Sequence, residues 1–526
     1  MVILQRPSID APRTARLERT VRALRRSPAT APVAVGVIGA LLAAAFSWVP
    51  SLWFDEAATV SATSRSVPEL LRMLGTIDSV HGVYYLLMHG WFSVVGFSPS
   101  TLRLPSALAV GATAALLVVL ARHLLDRRTA LAAGLVFCLL PRTTWMGAEG
   151  RSYALGTLLA VLATLAFIHA LTAHAQPPRR RALWWALYGA AAAIGTATFL
   201  YLGLLIAAHG IAALAARPLG LVPPSARSSV RSWLLAAGSA AVLLLPLVLL
   251  DLRESAQISW IEPLRDHAIR YTLVGAWFLD NVPFAVAGWA LILAGGAALV
   301  LRARSSRRFG DPRTRLALAV TLPWLVVPIG VLVAVTELAH PVFSPRYVAF
   351  SAPAVALLVA SALTALRRRW IPVLGLALCL GLTLPSYVEQ RTVTAKQDSS
   401  WAQVARRLAT ERSAEPAGQR DAVVYGPLRN HPDATMQVVA EAYPAAFRGL
   451  VDLKAGASAA ARGTLWQGRI PLADAHARLQ DAPVIWLVTS DRRDWRPGVT
   501  DQLARWGYRP AAQWHTAGVN VVRYVR

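Results

Sequence analysis

Charge and cysteine are what this chain has least of. Only 15% of its 526 residues are charged, against about 25% in a soluble domain. The two cysteines, Cys138 and Cys379, both lie inside apolar runs. That excludes a disulfide framework and argues against a cysteine-based metal cluster. Lysine is almost missing: Lys396 and Lys454 stand alone among many arginines. No glycine-rich phosphate loop and no internal repeat occurs, so neither a P-loop nucleotide site nor a solenoid is expected.

What the chain has is apolar length. Hydrophobic residues make up 55% of it, in long blocks near 33–50, 104–121, 129–146, 153–172, 183–200, 202–216, 233–250, 284–301, 316–335, 347–366 and 371–387. A bilayer span needs roughly 20 apolar residues, so the pattern predicts an α-helical polytopic membrane protein with about eleven transmembrane helices. The formal charge of +25 would suggest nucleic acid on a soluble protein. Here the arginines cluster in short segments between alternate pairs of runs, at 122–128, 179–181, 217–231, 302–315 and 367–369, and no nucleic-acid partner is expected. The positive-inside rule then places the N-terminus in the cytoplasm and the C-terminal region outside the plasma membrane.

Three units follow: an Arg-rich cytoplasmic arm over 1–32, a membrane domain over 33–391, and a small extracytoplasmic α/β domain over 392–526. Two long segments, 51–102 and 251–283, and a short one, 336–346, join spans on the outer side. Residues 67–74, with Leu70, Leu71 and Leu74 apolar, read as a short helix lying in the membrane interface. In the tail, 400–412 reads as an amphipathic helix. Residues 421–425, 484–489 and 519–525 read as strands, with a helix near 472–480.

The outer ends of the spans collect residues that are costly in lipid. Asp55 and Glu56 follow the first run. Asp78, His81, Tyr84 and Tyr85 lie further along the same segment. Glu149, Arg151 and Tyr153 follow the third run, and Glu337, His340, Arg346 and Tyr347 precede a late one. Acids, a histidine and arginines on one face suit a polar, anionic substrate. A carboxylate can act as a general base toward a hydroxyl, and arginine's planar fork matches a phosphate. Each has a plainer reading: the acidic pair can cap a helix, His81 can be an interfacial polar residue, Arg346 can anchor a helix end among headgroups, and the tyrosines can form an aromatic belt.

The order of these elements resembles the GT-C membrane glycosyltransferases: an acidic pair after span one, His-x-x-Tyr-Tyr, Glu-x-Arg-x-Tyr, then Pro-Arg-Tyr. Within that fold the chain looks like the protein O-mannosyltransferase and aminoarabinose transferase superfamily, over roughly residues 33–390. The resemblance implies a sugar donor carried on polyprenyl phosphate, an acceptor hydroxyl on a glycan, glycolipid or protein, and a site at the bilayer surface. It assigns Asp55 as the catalytic carboxylate. Glu56, His81, Tyr84, Glu149, Arg151, Tyr153, Arg346 and Tyr347 fall to substrate binding, with Arg346 meeting the donor phosphate. Glu149 matches a position that helps hold a divalent metal in some members. The proline pair usual after the histidine is absent here, where His81-Gly82-Val83-Tyr84-Tyr85 stands. Mannose is the expected sugar, with arabinofuranose, glucose and aminoarabinose as alternatives.

Two other classes compete. A transporter needs polar or broken helices near the bilayer midplane, whereas the centres of these runs are mostly Ala, Leu and Val. A non-catalytic scaffold would bind glycans through its tail, where Trp401, Trp466, Trp486, Trp495, Trp506 and Trp514 offer stacking surfaces.

Overall fold

The computed structural model describes residues 29–223, 228–304, 311–366, 368–416, 418–428, 431 and 434–526. The Arg-rich arm lies outside the described residues except for its last few. Every apolar run named above lies largely on a helix. Among the described residues seven are both long and apolar enough to cross a bilayer: Pro99–Leu124, Tyr153–Thr172, Ser229–Arg253, Val282–Arg304, Pro312–Leu338, Pro345–Leu363 and Trp370–Glu389. This is a multi-pass membrane protein. The other runs fall short of that measure for local reasons. Thr30–Ala44 and Gly203–Ala216 are short, and Pro178–Thr198 opens on three arginines. The third run is split at Pro141, whose missing N–H cannot continue the preceding helix.

The helices pack through small residues. Thr30–Ala44 lies along Pro99–Leu124, and a Cβ on Gly111 would come within 2.6 Å of the Gly36 carbonyl. Such close approach lets helices associate in lipid, where the hydrophobic effect offers no drive. Leucines on Ser229–Arg253 and Trp370–Glu389 stand outward, Leu243 and Leu374 among them, on surfaces that lipid would cover.

The segment 51–102 is not an open loop. It folds into helices Phe54–Thr63, Val67–Leu74 and Gly82–Val95. Val67–Leu74 starts at a capping box made by Ser66 and Glu69. Its Leu70 and Met73 are fully buried, and it contacts the short helix Ala459–Arg462. The expected interfacial helix therefore turns part of its apolar face to protein, leaving Leu71 and Val67 outside.

The tail forms helix Trp401–Ser413 and a five-stranded mixed sheet: β1 (Ala422–Tyr425), β2 (Val451–Asp452), β3 (Val484–Ser490), β4 (Arg509–Thr516) and β5 (Val519–Val525). The strand order is β2-β1-β3-β5-β4. β1 runs parallel to β2 and β3, and β5 antiparallel to β3 and β4. β2 and β4 were not expected: β2 is two residues long, and β4 is an edge strand with polar residues alternating outward. The helix expected near 472–480 is a 3₁₀ stretch, Leu472–Arg478.

Strand alternation sends the two faces of the sheet to different cores. Val424, Ile485, Leu487 and Tyr524 pack with Val499 and Leu503. Val423, Tyr425, Trp486, Val488 and Val521 belong to one cluster with Leu408 of Trp401–Ser413 and with Leu52, Ala57, Leu70, Tyr84 and Tyr85 of the first outer segment. The tail and the segment bearing the acidic pair therefore share a hydrophobic core.

Candidate active site

The site begins at the start of helix Phe54–Thr63. Trp53 is extended, and Asp55 and Glu56 occupy the first turn, where the helix dipole favours negative charge. Adjacent helical residues point about 100° apart, and this separates the pair.

Glu56 turns inward and is fully buried. It accepts from Arg103 Nε at 2.7 Å and Nη2 at 2.5 Å, and from the Gly150 amide at 2.9 Å. Arg103 also donates to the carbonyls of Ser47, Pro50 and Ser51. This knot ties the 47–51 segment that follows helix Thr30–Ala44 to the Phe54–Thr63 helix and to the 149–151 turn. Both oxygens of Glu56 are thus engaged in a closed interior. Arg103 was missed by the sequence reading. Its signal was an arginine at the edge of an apolar run, which demands a buried acid.

Asp55 turns the other way. Its side chain keeps 22% exposure, and its Oδ2 faces Arg346 Nη1 at 3.3 Å. Arg346 comes from the 3₁₀ stretch Pro345–Ser351. Its guanidinium lies 4.9 Å from the ring centroid of Trp260, 5.6 Å from Trp53 and 5.8 Å from Tyr347. Among the described residues Arg346 Nε, which is sheltered, has no hydrogen-bond partner. Tyr347 stacks on Tyr201 at 4.4 Å. Tyr153 packs edge-on to Phe199 and tilted against Trp145.

Arg151 is the hub beside Asp55. It donates to the Asp55 carbonyl at 3.1 Å, to Tyr85 Oη at 3.1 Å and to His81 Nε2 at 2.6 Å. A guanidinium only donates, so His81 Nε2 accepts and its proton sits on Nδ1. Burial, then the charges of Arg151 and Arg346, hold His81 well below the usual histidine range and keep it neutral. Tyr85 Oη donates to Asp78 Oδ2 at 2.7 Å, and burial raises the Asp78 carboxyl. Tyr84 is buried, and its hydroxyl has no partner among the described residues.

Glu149 is also fully buried. Its Oε1 accepts from Trp53 Nε1 at 2.5 Å, and its Oε2 pairs with Lys396 Nζ. Burial pushes the Glu149 carboxyl up and the Lys396 ammonium down, each opposed by the partner. The donor set does not fit the divalent metal expected at Glu149. An ammonium already occupies the cation's place, and among the described residues no three His, Cys, Asp or Glu side chains converge as ligands. Lys396 was not foreseen as a site residue, although its rarity in the chain marked it.

Of the expected residues, Asp55, His81, Arg151 and Arg346 therefore form one connected cluster, with Tyr153 and Tyr347 in its aromatic wall. Glu56 and Glu149 lie behind it as buried supports. Glu337 and His340 are exposed and join no part of it. One further residue comes from the tail: the ring of His431 lies flat on Phe54 at 3.5 Å, with Trp466 at 5.3 Å from the same ring.

Comparison with known proteins agrees with this architecture. Residues 82–249 match the family model described as dolichyl-phosphate-mannose-protein mannosyltransferase. The structure of ArnT from Cupriavidus metallidurans bound to undecaprenyl phosphate aligns with a TM-score of 0.55 at 15% identity, over 93% of this chain and 97% of that one. The same protein in its apo state aligns with a TM-score of 0.57 at 14% identity, over 94% and 98%. The Archaeoglobus fulgidus oligosaccharyltransferase in its apo form gives a TM-score of 0.48 at 11% identity, over 87% and 69%. No curated protein matches the chain by sequence. The chain has the GT-C membrane glycosyltransferase fold, and the family model together with that fold indicates a glycosyltransferase.

Proposed function

We propose that this protein moves a sugar from a polyprenyl-phosphate donor to an acceptor hydroxyl at the outer face of the plasma membrane. One observation carries the reading: Asp55 is partly open and faces Arg346, while the acids around it are buried and engaged. Support comes from the fold shared with a protein solved with undecaprenyl phosphate.

In the reaction, the acceptor oxygen bonds to the sugar's anomeric carbon as the carbon–oxygen bond to phosphate breaks. The electron pair leaves on the phosphate oxygen, and the hydroxyl proton passes to Asp55. A positioned base contributes about 10²–10⁴-fold. Arg346 stabilises the charge that grows on the leaving phosphate, and its unpartnered Nε fits that task. Arg151 and neutral His81 hold the Asp55 backbone and the floor of the site. No step runs through a metal. The outer placement rests on the arginine bias of the connecting segments, which puts the N-terminus inside and the tail outside.

Mannose is the first sugar, by the family model over 82–249. Arabinofuranose, glucose and aminoarabinose are the alternatives, since a fold shared over 93% of the chain leaves the sugar open. The test is transfer from radiolabelled polyprenyl-phosphate mannose, glucose, arabinofuranose and aminoarabinose by solubilised protein. One donor should be consumed, and Asp55→Asn should lower transfer on the order of 100-fold at matched protein level. Consumption of none, or full activity in Asp55→Asn, overturns the proposal.

A further inference from the structure

Arg142 is a buried cation whose contacts include no acid. It lies where Pro141 splits the third apolar run, in the first turn of helix Pro141–Met146, and is 4% exposed. Its Nε donates to the Ala276 carbonyl at 2.8 Å and its Nη2 to the Gly275 carbonyl at 2.5 Å. The guanidinium lies 4.9 Å from the Trp145 ring centroid. Among the described residues no carboxylate pairs with it. The equally buried Arg103 has Glu56, and Lys396 has Glu149. Asp280, an acid in the neighbourhood, is paired with Arg270. A charge taken out of water without a counterion is strongly unfavourable. In a membrane domain such a residue is a functional candidate by default.

The two hydrogen bonds have a structural use. Gly275 ends the π-helical turn Arg270–Gly275, and Ala276 opens Ala276–Phe278. The helix stops there because Leu279 is left-handed, with φ 49°. The last four carbonyls of a helix have no partner within it, and Arg142 satisfies two of them. A cation also suits the negative end of the helix dipole. Capping alone does not require a permanent charge, since a neutral amide can donate to a carbonyl.

The capped junction abuts the residue that faces Asp55. A Cβ on Gly275 would come within 3.3 Å of Pro345 Cγ, and Pro345 directly precedes Arg346. Trp277 Nε1 donates to the Val348 carbonyl at 3.4 Å. Helix Pro141–Met146 itself packs against Pro345–Ser351. Arg142 is therefore fixed behind Arg346, close enough for the two like charges to bear on each other. Arg151 bears on Arg346 as well. Like charges gathered in a sheltered interior favour an incoming anion.

We propose that Arg142 is a positioning residue that acts through Arg346: it holds the backbone behind that guanidinium and adds a fixed positive potential at the phosphate of the lipid carrier. This rests on the proposed transferase reading. As the carbon–oxygen bond to phosphate breaks, the electron pair stays on the phosphate oxygen. A charge fixed before the reaction stabilises that gain without reorganising. The site thereby prefers a carrier with an anionic head over a neutral lipid with the same chain.

The test uses the full chain in nanodiscs doped with equal amounts of undecaprenyl phosphate and undecaprenol, which share one chain and differ in charge. Native mass spectrometry reads the ratio of the two lipids bound. Wild type should carry mainly the phosphate. Arg142→Gln should lower the ratio on the order of tenfold. Arg142→Lys, which keeps the charge but loses the fork, should restore most of it. A purely structural cap would lower the thermal transition in both variants and leave the ratio of the folded fraction unchanged, which overturns the proposal. So does an Arg142→Lys protein that folds and loses the preference, whether or not Arg142→Gln folds. Loss of the preference in Arg346→Ala but not in Arg142→Gln rejects the role of Arg142 and keeps the transferase reading. No preference in wild type overturns both. If Arg142→Gln shifts the ratio while every lipid-linked sugar is refused, the transferase reading fails and the role of Arg142 survives.

Discussion

At the residue scale, the acidic pair divides its labour. Glu56→Gln removes one charge from a buried ion pair and leaves Arg103 uncompensated. Breaking such a pair costs about 3–5 kcal/mol. The expected outcome is a lower thermal transition and poor yield, with the surviving folded fraction still active. A stable Glu56→Gln protein with no transfer would instead place Glu56 in the chemistry. Arg346 is the opposite case. Arg346→Ala should leave the thermal transition nearly unchanged, since its ion pair with Asp55 is long at 3.3 Å. Loss of a charge-assisted phosphate contact would raise the barrier by about 1.5–3 kcal/mol. Arg346→Lys should recover part of the rate, keeping charge without the fork. Donor kinetics unchanged in Arg346→Ala would return the residue to anchoring a helix end.

At the element scale, helix Gln437–Ala442 brings a titration into the shared core. Burial raises the Glu441 carboxyl to about 7, against the opposing effects of Ser61 and Arg65. Its folded value lies above the ordinary carboxylate range, so the native state binds more protons than the unfolded chain between about pH 4.5 and 7. Stability therefore falls as pH rises through that window. Glu415, also raised to about 7 by burial and by Asp421, acts in the same direction. In differential scanning fluorimetry from pH 5 to 8 the two acids should pull the transition temperature down as pH rises, while neutral His81 pulls it up below the ordinary histidine value. Glu441→Gln, which mimics the protonated form, should make the fall shallower and raise the transition at pH 8. An unchanged slope would mean that Glu441 ionises as freely in the folded protein as in the unfolded chain.

At the scale of the whole molecule, the shared core makes the tail a structural support of the proposed active site. Removing 392–526 would expose Leu52, Ala57, Leu70 and Tyr85, and would take Lys396 from Glu149. The truncated chain should therefore fail to give a monodisperse peak in size-exclusion chromatography and should show no transfer, although Asp55 and Arg346 remain. A well-behaved, active truncation would show that the tail is an independent appendage. Bilayer physics made the membrane class, the helical runs and the cluster of Asp55, His81, Arg151 and Arg346 legible in the sequence. Long apolar runs must form helices, and charged residues at their ends need a use or a partner. Partnership itself was not legible. Glu56 with Arg103 and Glu149 with Lys396 are separated by 47 and 247 residues, and no local pattern encodes such pairs. The same holds for the sheet face that covers the first outer segment. Alternation in a strand tells which residues share a face, but only tertiary packing decides what that face meets. The sequence by itself determined which residues had to leave lipid; the tertiary structure decided which were closed into buried ion pairs and which, like Asp55, were left open for chemistry.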